Sequence, residues 1–159
     1  MSGELHPFVL HFAVGLLLTA PLCDVVGLIL RREPLLFAGR WMTLAGTFAA
    51  VLSAITGFGA EAGLGPHSAA GEALLNLHRA LGIVMVLVWV PIAVWRGLSK
   101  LPLPLKARTI YLALAFSGAV ILTVETALGG ALVFRHGVGL SPAARAEPVA
   151  PAVSRVPRR

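Results

Sequence analysis

LHRALGIVMVLVWVPIAVW, residues Leu77–Trp95, decides the fold. Between Arg79 and Arg96 it holds 16 residues without one charged side chain. An α-helix needs about 20 mostly apolar residues to cross the hydrocarbon of a bilayer, so this stretch reads as a membrane span. Working outward, three further runs of the same kind appear, roughly Phe8–Leu30, Trp41–Phe58 and Ile110–Phe134. The short alternating strands of a β-barrel are absent. The chain is 57% hydrophobic and 13% charged, where a soluble domain is about a quarter charged.

The expectation is an all-α integral membrane protein, an antiparallel four-helix bundle running up-down-up-down because its connections are short. The spans are expected at about 6–30, 39–59, 74–96 and 109–135, within one membrane domain over 1–140. Residues 141–159 are rich in Pro, Ala and Arg, lack an apolar face, and are expected to be disordered. Arg31-Arg32-Glu33-Pro34 should end the first helix, since proline resists helix continuation. No Lys or Arg precedes the first run, and it is too long for the apolar part of a signal peptide. Cys23 is the single cysteine, so an internal disulfide and a multi-thiolate site are excluded.

Basic residues set the orientation. Arg31, Arg32 and Arg40 flank the first connection, and Arg96, Lys100, Lys106 and Arg108 flank the third. The middle connection, Gly59–Asn76, has no Lys or Arg. Excess Lys and Arg marks cytoplasmic loops, so both termini and the middle connection are expected outside, in the periplasm of a bacterium whose inner membrane holds the chain. The net charge of +6 is then topology and tail, and no nucleic-acid partner is implied.

All five histidines fall toward one membrane face: His6, His11, His67, His78 and His136. Imidazole is the commonest biological ligand for metals and haem. His11 is followed at i+4 by Gly15, and His78 by Gly82; i and i+4 share a helix face. A glycine there leaves room for a flat macrocycle beneath its ligand. Helices one and three are diagonal in a square bundle, so His11 and His78 can face each other as the axial pair of a b-type haem. Arg79 is a candidate partner for the propionates. Gly57, Gly59, Gly129 and Gly130 leave further room. His6, His67 and His136 are candidate ligands of a second haem or, with His11 and His78, of a metal ion such as zinc or copper. The same glycines also suit plain helix packing, and the histidines suit ordinary interfacial roles. Asp24 is expected to pair with the basic cluster near Arg31. Glu125, alone near mid-membrane, is expected to matter, structurally or near a quinone or proton path, because an intramembrane carboxylate is costly.

Several stretches together resemble a bacterial membrane family labelled domain of unknown function 2231. They are His6-Pro7-Phe8-Val9-Leu10-His11-Phe12-Ala13-Val14-Gly15-Leu16, Asp24, Thr56-Gly57, His78-Arg79, and Gly129-Gly130-Ala131-Leu132-Val133-Phe134-Arg135-His136-Gly137-Val138-Gly139. The likeness covers about Leu5 to Leu140. It departs at Ala13-Val14, where a Pro-Ile-like pair is expected. The resemblance implies a four-helix inner-membrane protein, and some relatives joined to cytochrome-c-like segments point toward redox. No activity comes with the family label. The residues themselves lead to a small haem-binding electron-transfer protein or redox-complex subunit, partnered by a periplasmic cytochrome, a quinone or a larger complex. A metal-binding membrane protein and a non-catalytic structural subunit are the alternatives.

Overall fold

A computed structural model describes residues 2–140. The expected tail from 141 lies outside the described residues. Four helices follow one another: α1 (Ser2–Ile29), α2 (Glu33–Glu61), α3 (Ala69–Leu98) and α4 (Leu105–His136). Each is long and apolar enough to cross a membrane. At about 1.5 Å per residue, α4, with 32 residues, outruns the hydrocarbon, so the helices continue past the apolar runs into the polar layer at both ends.

The connections follow from local chemistry. α1 stops at Leu30–Arg32, where Arg31 adopts φ 52° and Arg32 N–H donates to Gly27 O at 2.8 Å. That is the bond pattern of a left-handed helix cap. Pro34 does not end α1. It sits in the first turn of α2, where its missing N–H has no helical partner to lose. Ser68 caps α3 by accepting from Gly71 N–H at 3.1 Å. α4 ends at Gly137, φ 63°, with Val138 N–H donating to Leu132 O at 2.9 Å.

α1 packs most extensively on α2, α3 on α4 and α2 on α3, while α1 touches α4 least and the backbones of the diagonal pairs stay more than 8 Å apart, Cα to Cα. This is the square antiparallel bundle that short connections dictate. Small residues set the close approach of α1 and α2: a Cβ on Gly46 would lie 2.8 Å from Leu17 Cγ. The core is filled by Leu17, Met85, Trp89, Tyr111 and Leu122. Outside, Phe8, Phe48, Leu98 and Phe134 are exposed, which a bilayer tolerates and water does not.

Candidate functional site

Polar side chains inside this bundle gather in two clusters, one toward each end. Each cluster takes one side chain from every helix. The first holds Asp24 (α1), Thr43 (α2), Arg96 (α3) and Tyr111 (α4). Asp24 Oδ1 accepts from Arg96 Nη2, and Asp24 Oδ2 accepts from Tyr111 Oη at 2.7 Å. Tyr111 Oη also lies 3.3 Å from Thr43 Oγ1, and the Arg96 guanidinium sits 4.8 Å from the Tyr111 ring centroid. Asp24 and Arg96 are both almost fully buried. Asp24 thus pairs across the bundle with Arg96, and not with the basic residues around Arg31. Beside it, Arg40 donates to Gly97 O and Ser99 O and so satisfies the last carbonyls of α3. This cluster ties the four helices together with every carboxylate oxygen occupied.

One glycine makes room for that carboxylate. A Cβ on Gly39 would stand 2.8 Å from Asp24 Cγ, a distance no packed pair adopts. Gly39→Ala should therefore lower stability by about 1–3 kcal/mol, as overpacking does. Gly15→Ala, whose Cβ would meet nothing within 4 Å, should leave it unchanged. Thermal unfolding of the two variants in one detergent checks the contrast.

The second cluster is His6 (α1), Ser53 (α2), His78 (α3) and Glu125 (α4). His6 Nδ1–H donates to Ser53 O at 2.8 Å, with Ser53 Oγ 3.2 Å from the same nitrogen. His78 Nδ1 lies 3.2 Å from Glu125 O and 3.2 Å from Glu125 Oε1. The two imidazole rings stand 6.2 Å apart, centroid to centroid, with planes at 81°. Glycines hold the rings tightly: a Cβ on Gly57 would be 3.1 Å from the His6 ring, and one on Gly129 3.1 Å from the His78 ring. Gly82 faces Glu125 Oε1, 3.9 Å from where a Cβ would be. Since both Nδ1 atoms are committed to backbone carbonyls, Nε2 is the nitrogen each ring has left. Metal-binding histidines are typically held this way, with the second nitrogen fixed to a carbonyl or carboxylate.

His11 is not part of this cluster, and the structure does not bring the expected His11–His78 pair together. His11 is exposed on the outer side of α1, and its Nδ1–H donates back to Pro7 O. Gly15, on the same side, faces open space. The reason is angular. His6 and His11 are five residues apart, about 140° around the helix, so only one of them can face the core. Arg79 points to the rim, where Nη1 pairs with Glu61 Oε1 at 2.6 Å and Nη2 bonds Asn76 Oδ1. It does not stand free to meet a propionate. His67 is bound to Gly65 O and, at 2.7 Å, to Glu72 Oε2. His136 closes α4 against Gly71 at the start of α3. Gly59 and Gly130 face open space. Among the described residues, no three His, Cys, Asp or Glu side chains are grouped to hold a metal ion.

Ser53 was not singled out by the sequence, His6 was joined to His78 only within a wider metal-ligand set, and Glu125 was not joined to either. A signal for them did exist. Asp24 lies 18 residues after His6, and Arg96 lies 18 residues after His78. Eighteen residues are five full helical turns, so each histidine shares a face with a charged residue that must point inward.

A family model described as a predicted membrane protein, DUF2231, matches residues 3–142. No curated protein and no solved structure matches the chain.

Proposed function

The chain belongs to the DUF2231 family of membrane proteins, and from that premise we propose that it is a multi-pass electron-transfer protein binding one b-type haem through His6 and His78. The observation that carries this reading is the pair of imidazoles from diagonal helices, each with Nδ1 fixed by a carbonyl. Their ring centres are 6.2 Å apart. A haem iron held by both rings, with metal–nitrogen bonds of about 2 Å, would call for ring centres about 6 Å apart. The donor set also favours haem over a bare ion. A structural metal ion commonly wants about four protein ligands, whereas a haem needs only axial ones.

A haem supplies one-electron chemistry, and the chain supplies what surrounds it. His6 and His78 would offer their Nε2 nitrogens, with the rings oriented by Ser53 O and Glu125 O. The absence of a Cβ at Gly57 and Gly129 lets both rings lie close against α2 and α4. Apolar helices exclude bulk water, which together with axial ligation tunes a reduction potential. The partner would be a periplasmic cytochrome, a quinone or a larger redox complex meeting the bundle at its His6 end. Protein purified from haem-supplied cells should show a low-spin bis-imidazole absorption spectrum. A colourless, folded protein after haem reconstitution would overturn the assignment.

The His6 end is proposed to face the periplasm of a bacterial inner membrane, with both termini outside. Arg31, Arg32, Arg40, Arg96, Lys100, Lys106 and Arg108 all belong to the other end, which supports a cytoplasmic Asp24 end. Reporter fusions after Pro34 and Pro102 should read cytoplasmic, and fusions after Gly65 and Leu140 periplasmic. The reverse pattern would move the histidine cluster to the cytoplasmic face.

A further inference from the structure

A crevice opens beside the Asp24 cluster, between α1, α4 and the connection from α3 to α4. Its open volume is about 230 Å³, and Asp24, Arg96, Arg108, Tyr111, Leu28 and Leu103 are among its walls. The enclosed depth is only about 10 Å³, room for about one water. Anything larger must bind at the mouth.

The hydrogen-bond balance of the crevice is one-sided. Asp24 has both oxygens taken, one by Arg96 and one by Tyr111. Arg96 is 3% exposed, yet its Nε finds no acceptor among the described residues. Arg108 is half-buried, and its guanidinium makes no hydrogen bond or ion pair among them. An arginine offers five N–H donors in a planar fork. The side chains lining the crevice therefore present unsatisfied donors and no free carboxylate, and a buried donor left unpaired is costly. What is missing is an anion with several oxygens.

We infer that this crevice binds a phosphate group, and that its occupant in the membrane is the headgroup of an anionic phospholipid. Arg108 takes the phosphate at the mouth, where a guanidinium meets two oxygens at once. A water in the enclosed depth carries the hydrogen bond on to Arg96 Nε. Leucines on the walls suit the glycerol and upper acyl carbons better than a free hydrated ion. Arg31, Arg32 and Lys106, exposed at the same end, raise the local concentration of anionic lipid. The site does not depend on the haem reading, because it lies at the opposite end of the bundle.

The test uses the full chain in neutral detergent, offered phosphatidylglycerol and phosphatidylcholine at equal mole fraction, with retained lipid counted by native mass spectrometry. Phosphatidylglycerol should be retained in excess. Arg108→Gln should cut that excess about fivefold, the effect of one basic group near an anionic lipid. Lys106→Gln, which alters an exposed charge outside the crevice, should lower it much less. Equal retention of the two lipids by the unaltered chain would overturn the site. So would equal losses from both variants, which would mean diffuse surface charge. A third arm adds inorganic phosphate at millimolar concentration. Displacement of the lipid there would overturn the lipid assignment in favour of free phosphate, and persistence of the lipid would support it. Unfolding temperatures of both variants, expected to match the unaltered chain, exclude a folding defect.

Discussion

Asp24→Ala should unfold much of the bundle, with a stability loss of about 3–5 kcal/mol, the cost of leaving one partner of a buried ion pair alone. Arg96 would then be a guanidinium almost fully buried with no carboxylate, its remaining acceptor being Leu36 O at 3.3 Å. Tyr111 would lose its acceptor too. Arg96→Met should be nearly as damaging, because it strands a carboxylate that Tyr111 alone serves. The double variant Asp24→Leu/Arg96→Met should be milder than either single one, since buried pairs replaced by apolar groups of similar size lose little. Folded yield in mild detergent and unfolding in a denaturing detergent series give the three values. If the double variant proves as unstable as the sum of the singles, the pair is not acting as a coupled unit.

Replacing the imidazole of either His6 or His78 should remove the low-spin spectrum altogether or convert it to high spin, while His11→Ala should leave it intact. Each of the first two would supply one ligating nitrogen in the proposed site, so loss of one ring would weaken haem binding or change its spin state. His11 faces away from the bundle. His67 is held in its own loop pair with Glu72, so His67→Ala should also be silent. Gly129→Leu should lower haem content as well, because even a Cβ there would stand 3.1 Å from the His78 ring and a larger group would turn the imidazole. Absorbance per mole of folded protein, with circular dichroism to confirm the helices, separates these outcomes. A spectrum lost with His11→Ala and retained with His6→Ala would restore the His11 pairing and sink the one proposed here.

The clusters differ in how visible they were beforehand. Asp24 and Glu125 stand out in any reading, because carboxylates are rare in hydrocarbon, but their partners lie far along the chain. Arg96 is 72 residues from Asp24, and His6 is 47 from Ser53. Polar residues followed at i+4 by glycine mark three members of the histidine cluster: Ser53 before Gly57, His78 before Gly82 and Glu125 before Gly129. His11 before Gly15 has the same spacing and faces lipid. Spacing alone therefore finds the pattern without telling core from surface. The 18-residue spacing between His6 and Asp24 would have made the distinction, since a charge that must be buried orients the whole helix.

From the sequence alone came the four spans, their order and the square antiparallel arrangement. These follow from physics local to the chain. A backbone in hydrocarbon must satisfy its own hydrogen bonds, which leaves helices, and short connections make consecutive helices neighbours. The rotation of each helix about its axis was decided only by the tertiary structure. In water, an amphipathic stripe announces the buried face. Here lipid and core are both apolar, so residues such as Phe8 outside and Leu17 inside carry no contrast for a pattern to read. Close packing of Gly39 on Asp24, Gly46 on Leu17 and Gly118 on Trp89 fixes those rotations. With them it fixes which histidine of α1 meets His78.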